Sequence, residues 1–163
     1  MFMTIIEGLV VCFILLTACV VGIANGAVNL VCLYEKEVQD KVVEIGLITR
    51  EKIKRNKMLF MLFGMLPCWI FMICSVYWIN DARGFLEGFW QIYVIMMMEG
   101  LFDRLFIDFF WVGKTKAWII PETEKLMPYI YGKTLASKWI GTMIGSPIFA
   151  AALSGIMMIF IRG

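Results

Sequence analysis

The sequence predicts an all-α integral membrane protein in which four transmembrane helices form a bundle, and three observations predict it. Of its 163 residues, 61% are apolar and only 17% are charged, whereas a soluble domain contains far more charge. The mean hydropathy is +0.84. Four apolar stretches are long enough to cross a hydrocarbon core of about 30 Å, which takes about 20 helical residues.

The four predicted spans cover about 5–33, 58–79, 85–112 and 139–161, and together they make residues 1–163 a single membrane domain. The first and third exceed the length of a perpendicular span, so we expect them to tilt or protrude. No lysine or arginine precedes the first span, and no A-x-A-type site ends it. It is therefore expected to be a retained helix and not a cleaved signal peptide.

The distribution of lysine and arginine predicts the orientation of the chain. Seven of these residues lie in the 35–57 connection and five in the 113–138 connection, whereas the 80–84 turn and the C-terminal tail have one each. Because basic residues accumulate in cytoplasmic loops, both long connections are predicted to be cytoplasmic and both termini outside. The expected location is the cell membrane, as a multi-pass protein of bacterial type.

A basic cluster at the start of the second span is the predicted contact with lipid headgroups. Its members are Arg50, Lys52, Lys54, Arg55 and Lys57. Such a cluster serves either as the topology signal itself or as a site for anionic lipids, and both interpretations stay open. Earlier in the same connection, Val38, Val42 and Ile45 share one helical face, which predicts a helix along the membrane or a continuation of the first span.

Four ionisable residues within the third span form a predicted intramembrane polar cluster: Glu99, Asp103, Arg104 and Asp108. Arg104 can pair with Asp108 one helical turn away or turn toward Asp103. Because each such group costs about 2.5–3.5 kcal/mol at the bilayer centre, they should face protein or water. Three acids against one base predict a surplus of two negative charges. Glu99 is the least expected of the four, because no basic residue lies on the same helical face.

Amides and small residues predict how the spans pack. Asn25 and Asn29 are four residues apart in the first span, at the depth where Asp103 and Arg104 are expected, so an interhelical hydrogen bond is predicted. Gly141 and Gly145 form a small-residue pair in the fourth span, which favours close approach of another helix. Pro67 and Pro147 predict bends in the second and fourth spans.

Several classes of function are excluded by residue counts. The chain has no histidine, so it lacks imidazole acid–base chemistry and histidine metal ligands. None of its five cysteines forms a C-x-x-C pair. Nucleic-acid binding does not fit a chain with so little exposed basic surface. The sequence identifies no cofactor, and it leaves open whether a metal binds.

The segment GLFDRLFIDFF followed by WIIPETEKL resembles a pattern in small four-span bacterial membrane proteins for which no activity is known. The correspondence falls on Asp103, Asp108, Pro121, Thr123 and Glu124. It differs at Glu122, which stands where that pattern has glycine. Glu122 and Glu124, together with Asp108, are also predicted to ring a cytoplasmic mouth, and grouped carboxylates of this kind suit a hard cation such as Mg²⁺.

Three hypotheses about function follow from the polar cluster. In the first, the protein is an interaction or assembly component and the charges serve partner helices, within a homo-oligomer or with another membrane protein. In the second, it is a cation- or proton-linked transporter or channel, which four short spans would form only as a homo-oligomer. In the third, it is a metal-dependent lipid-modifying enzyme in which a carboxylate acts as the base.

Overall fold

The computed structural model describes the backbone of residues 2–162 and the side chains of residues 2–160. Helix accounts for 84% of it, and the described part contains no strand. The all-helical class predicted from the sequence is therefore confirmed. Three helices are long and apolar enough to cross a membrane: Phe2–Ile23, Arg50–Ile79 and Gly132–Phe160.

Five helices make up most of the chain. They are α1 (Phe2–Ile23), α2 (Lys36–Glu44), α3 (Arg50–Ile79), α4 (Phe85–Phe102, continued by Asp103–Val112) and α5 (Gly132–Ile140, continued by Gly141–Gly145 and Ser146–Arg162). Short 3₁₀ helices lie at Ala27–Leu33, Lys116–Trp118 and Glu124–Leu126.

α4 is a long continuous helix, but it is not among the three that are apolar enough by composition. Its acids and Arg104 are spaced so that they interrupt its membrane-length apolar stretches. It nevertheless lies at the centre of the bundle, in contact with α1 on one side and α5 on the other. Ile92 and Ile95, on its buried face, are fully enclosed. α4 therefore lies between two of the three helices that are apolar enough to cross a membrane.

Close helix approach depends on glycine at two contacts of α4. A Cβ atom at Gly8 of α1 would lie 2.6 Å from the sulfur of Met98, and one at Gly100 would lie 2.6 Å from a methyl group of Thr142 in α5. Both distances are too short for a real side chain. These two glycines therefore set how closely α1 and α5 approach α4.

The first helix ends ten residues before the predicted limit of the first span. α1 stops at Ile23, and Gly26 has a φ of 108°, which interrupts a helix and which L side chains rarely adopt. A 3₁₀ segment follows, so residues 24–33 are helical only in short turns. The sequence concealed this break because apolar residues continue on both sides of it.

Wide turns occur beside both prolines at which the sequence predicts a bend. π-helical turns occupy Met61–Met65, ahead of Pro67, and Gly141–Gly145, ahead of Pro147. In each, a backbone N–H bonds the carbonyl five residues back, from Leu66 to Met61 in the first case. Proline lacks an N–H and its ring presses on the preceding turn, so a widened turn lets the helix continue.

The two long connections pack against each other at one end of the bundle. We call residues 24–49 and 113–131 together the cap, the adjoining end of the bundle the cap end, and the opposite end, at the 80–84 turn, the turn end. Tyr34, Val38, Trp118 and Tyr129 are buried in the cap, with ring centroids 4.9 Å apart for Tyr34 and Tyr129. The Glu35 N–H donates to the Tyr129 carbonyl at 3.0 Å.

The apolar face of α2 packs inside the cap, whereas the sequence predicted a helix along the membrane or a continuation of the first span. Val38 and Val42 are completely buried and belong to the same core as Tyr34 and Trp118. The face that predicted a helix along the membrane is therefore covered by protein. Burial raises the pKa of the Tyr34 hydroxyl, so this group stays neutral within the cap.

Candidate functional site

Four charged residues near the cap end form what we call the ion-pair network: Asp103, Arg104 and Asp108 on α4, and Lys138 on α5. Arg104 Nε lies 3.0 Å from Asp108 Oδ2, and Lys138 Nζ lies 2.7 Å from Asp108 Oδ1. Arg104 also pairs through Nη2 with Asp103. Arg104 and Asp108 are both buried, so the charges of this network face protein.

The two contacts of Asp108 differ in kind. Lys138 Nζ donates a hydrogen bond to Asp108 Oδ1. Asp108 Oδ2 and Arg104 Nε are close, but neither has a hydrogen-bond partner among the described residues, so that contact is electrostatic without an aligned N–H. Charge-assisted hydrogen bonds are the stronger type. The bond from Lys138 is therefore the contact that connects α5 to α4.

Lys138 corrects the charge balance expected from the sequence. The sequence analysis counted Lys138 in the second long connection, where it contributed only to the predicted orientation. In the structure it lies in α5, inside the bundle, and makes the network neutral with two acids and two bases. Counted together with Glu99, these residues have a surplus of one formal negative charge, which is that of Glu99. The signal for Lys138 was available, since antiparallel α4 and α5 bring the start of α5 beside the end of α4.

Glu99 is partly buried on α4, one turn before Asp103. It has no hydrogen bond or ion pair with any described residue. The next residue, Gly100, is the close contact with Thr142 of α5. Glu99 is therefore not joined to the ion-pair network by a described hydrogen bond or ion pair, although the sequence grouped it with Asp103, Arg104 and Asp108.

Asn25 and Asn29 are not partners of Arg104. Both follow the end of α1, where Asn29 Nδ2 donates to the Asn25 carbonyl at 3.2 Å. The Asn29 carbonyl accepts a hydrogen bond from Asn56 Nδ2 of α3 at 2.9 Å. The expected pairing assumed a helix continuing to residue 33, and the turn at Gly26 instead directs these residues to the start of α3.

Glu122 and Glu124 lie on the exposed surface of the cap. The Glu122 N–H donates to Glu124 Oε1 at 3.3 Å, and Glu122 has a φ of 67°. Thr123 between them is buried, and its hydroxyl donates to the Ile120 carbonyl at 2.8 Å. The described ion pairs of Asp108 are with Arg104 and Lys138, so no contact joins the three carboxylates of the predicted mouth.

A second polar cluster at the turn end was missed in the sequence. We call Glu7, Asn80 and Gln91 the amide cluster. Asn80 Nδ2 lies 2.9 Å from both carboxylate oxygens of Glu7 and 2.8 Å from Gln91 Oε1. Glu7 is only 3% exposed. A lone acid in an apolar run was the available signal, but its partner Asn80 lies in the turn after α3, and Gln91 of α4 joins the cluster through Asn80.

No group of three or more histidine, cysteine, aspartate or glutamate residues within the described chain is arranged to hold a metal ion. All five cysteines are free thiols. Comparison with protein-family models, with curated proteins and with solved structures found no match. The fold and the site together define an all-helical protein with three membrane-length apolar helices and a buried, neutral ion-pair network.

Proposed function

We propose that this chain is a four-span membrane protein whose ion-pair network holds the bundle together, and that it acts as an interaction or assembly component. α4 is the fourth span, and the cap lies in the cytoplasm with both termini outside. Support for this orientation comes from the lysines and arginines concentrated in 35–57 and 113–138, which include parts of the cap and the starts of α3 and α5 beside it.

The pairing of Asp108 with two bases is the observation that carries this proposal. A pathway for ions needs polar groups that are free to bind and release them, whereas Asp108 is only 6% exposed and contacts Arg104 and Lys138. Breaking a buried pair by removing one partner is strongly unfavourable. A network of this kind stabilises helix packing, which leaves the surfaces of the bundle and cap for partners.

The experiment is to measure the mass of the complex that the tagged full-length chain forms in native membranes after mild solubilisation. We expect a complex larger than one chain that survives Glu99→Gln, because assembly does not require that charge. A particle containing only one chain would contradict the proposal. Protein identification in the complex separates self-association from a different partner.

A second candidate function, proton- or cation-linked transport by a homo-oligomer, is favoured by Glu99 alone. A carboxyl group without a described partner, within a helix at the centre of the bundle, suits proton exchange. In this alternative Glu99 lines the pathway or a subunit contact, and the ion-pair network keeps α4 in position beside it.

Flux measurements in liposomes distinguish the two functions. Transport predicts proton or cation flux that Glu99→Gln abolishes. Glu87→Gln, at the exposed start of the same helix, should leave that flux unchanged and serves as the matched control. Absence of flux in the unmodified protein, or equal flux in both variants, would contradict the transport function.

A further inference from the structure

A groove of about 840 Å³ runs between α1 and α3 on the outside of the bundle. Its wall is apolar along most of its length, with Phe13, Val21, Leu59 and Phe63 among the lining residues. The helices meet at its floor, where a Cβ atom at Gly64 would lie 3.2 Å from the Cβ of Ala18. The groove is therefore apolar along most of its length and open on the outside of the bundle.

One end of the groove is polar and basic. Lys52, Arg55 and Asn56 line it from α3, and Asn25 and Asn29 from the segment after α1. Lys52 and Arg55 are exposed, and neither has an acidic partner within 4 Å among the described residues. Arg50 in the same basic cluster is different, because it pairs with Asp40 at 3.0 Å.

The dimensions of the groove match one leaflet. From residue 52 to residue 64 an α-helix rises about 18 Å, at 1.5 Å per residue. Half of a hydrocarbon core of about 30 Å is about 15 Å. The basic end lies at the cap end of the bundle, where the headgroups of the cytoplasmic leaflet are expected, and the apolar end reaches the middle of the bilayer.

We propose that this groove binds one anionic phospholipid of the cytoplasmic leaflet, with the phosphate at Lys52 and Arg55 and an acyl chain between α1 and α3. The inference rests on the four-span arrangement proposed above. An amphipathic occupant is required because the groove is basic at one end and apolar over the rest. Lys54 and Lys57 belong to the same basic cluster but do not line the groove, so the site uses only part of that cluster.

The test measures lipid retention by the purified full-length protein with native mass spectrometry, using phosphatidylglycerol, phosphatidylcholine and inorganic phosphate as probes. We expect one phosphatidylglycerol per chain, with weaker retention of phosphatidylcholine and none of phosphate. The double variant Lys52→Gln/Arg55→Gln should bind phosphatidylglycerol about thirtyfold more weakly, at about fivefold for each basic residue near a membrane surface. Lys54→Gln/Lys57→Gln is the matched control and should bind normally.

A second pair of variants tests the apolar part without changing charge. Thr17 is exposed and lines the groove, so Thr17→Trp should fill it and prevent retention. Val20 is exposed on the same helix outside the groove, and Val20→Trp should retain the lipid. Normal binding by Thr17→Trp would overturn the groove site. So would equal loss of binding in Lys52→Gln/Arg55→Gln and Lys54→Gln/Lys57→Gln, which would indicate general attraction of anionic lipid to the basic surface.

Failure of the lipid site is distinguishable from failure of the proposed function. The complex mass and liposome flux do not depend on Lys52 or Arg55. A single cysteine introduced as Lys54→Cys in a chain without its native cysteines, labelled from either side of the membrane, tests the orientation independently. Labelling of this cysteine from the outside would show that the basic end of the groove does not lie in the cytoplasmic leaflet, whatever the lipid measurement shows.

Discussion

The two ends of the bundle bury charge in opposite ways. At the cap end, Asp108 is neutralised by two bases, one on its own helix and one on α5. At the turn end, no described basic side chain forms an ion pair with Glu7, and its carboxylate accepts hydrogen bonds from the amide of Asn80. Both acids are almost completely buried. The bundle thus stabilises one carboxylate by charge and the other by hydrogen bonding.

This difference shows why only one cluster was visible in the sequence. Arg104 and Asp108 are one helical turn apart, so their pairing follows from local spacing. Glu7 and Asn80 are 73 positions apart, and only the fold brings them together. Removing a partner should also have different consequences, since an unpaired buried charge costs more than an unpaired amide.

The largest effect is expected for Asp108→Ala, which leaves Arg104 and Lys138 inside the bundle without their shared acid. We expect the free energy of unfolding to fall by about 3–5 kcal/mol. Reversible unfolding of the purified protein in mixed micelles measures it. Asp81→Asn is the control, because Asp81 pairs with Arg83 on the exposed turn and such pairs contribute about 0–1 kcal/mol. Equal effects of the two substitutions would show that the network does not stabilise the bundle.

A smaller effect is expected at the turn end. Glu7→Leu removes the acceptor of the Asn80 amide and should lower the free energy of unfolding by about 1–3 kcal/mol. Glu7→Gln keeps an acceptor oxygen for Asn80 and should cost less. The same unfolding measurement compares the two variants. If glutamine is as harmful as leucine, the negative charge of Glu7 matters in itself, and the contrast between the two ends would be wrong.

The next prediction concerns a hydrogen bond in the cap, where we expect a change of about 1 kcal/mol in the free energy of unfolding. The Tyr129 hydroxyl accepts a hydrogen bond from the Ile120 N–H at 3.0 Å and lies 2.8 Å from the Thr123 hydroxyl. Tyr129→Phe should lower stability by about 1 kcal/mol, the net value of a typical hydrogen bond. Faster hydrogen exchange at the Ile120 amide should accompany it. Tyr93→Phe on α4 is the control and should leave that amide unchanged.

The smallest expected effect is on how the stability of the fold depends on pH. The Tyr131 hydroxyl donates to Glu37 Oε2 at 2.8 Å, and this carboxylate raises the pKa of Tyr131. Because the folded pKa exceeds the unfolded value of about 10, the stabilisation is complete below pH 10 and is lost as pH rises through the folded pKa. Glu37→Gln should move the titration of Tyr131 downward in an ultraviolet absorbance measurement. Glu44→Gln, on the same helix, should not.

The sequence predicted the features that depend on composition and local spacing. The helical class follows from composition, and the contact of Arg104 with Asp108 arises within a single helix. Lys138 was assigned to the connection, because its role depends on how α4 and α5 face each other. The break after Ile23 was missed, because the backbone conformation of Gly26 is not encoded in apolar periodicity.

The folded cap has a consequence for how the chain is made. Glu35 accepts a hydrogen bond from the Thr134 N–H, 99 positions later, and Tyr34 is covered by Trp118 and Tyr129. The first connection therefore leaves the ribosome with the apolar surface around Tyr34 uncovered and stays so until most of the protein has been translated. A truncated product ending before residue 118 would display that surface permanently, which is the type of feature that chaperones and proteases recognise.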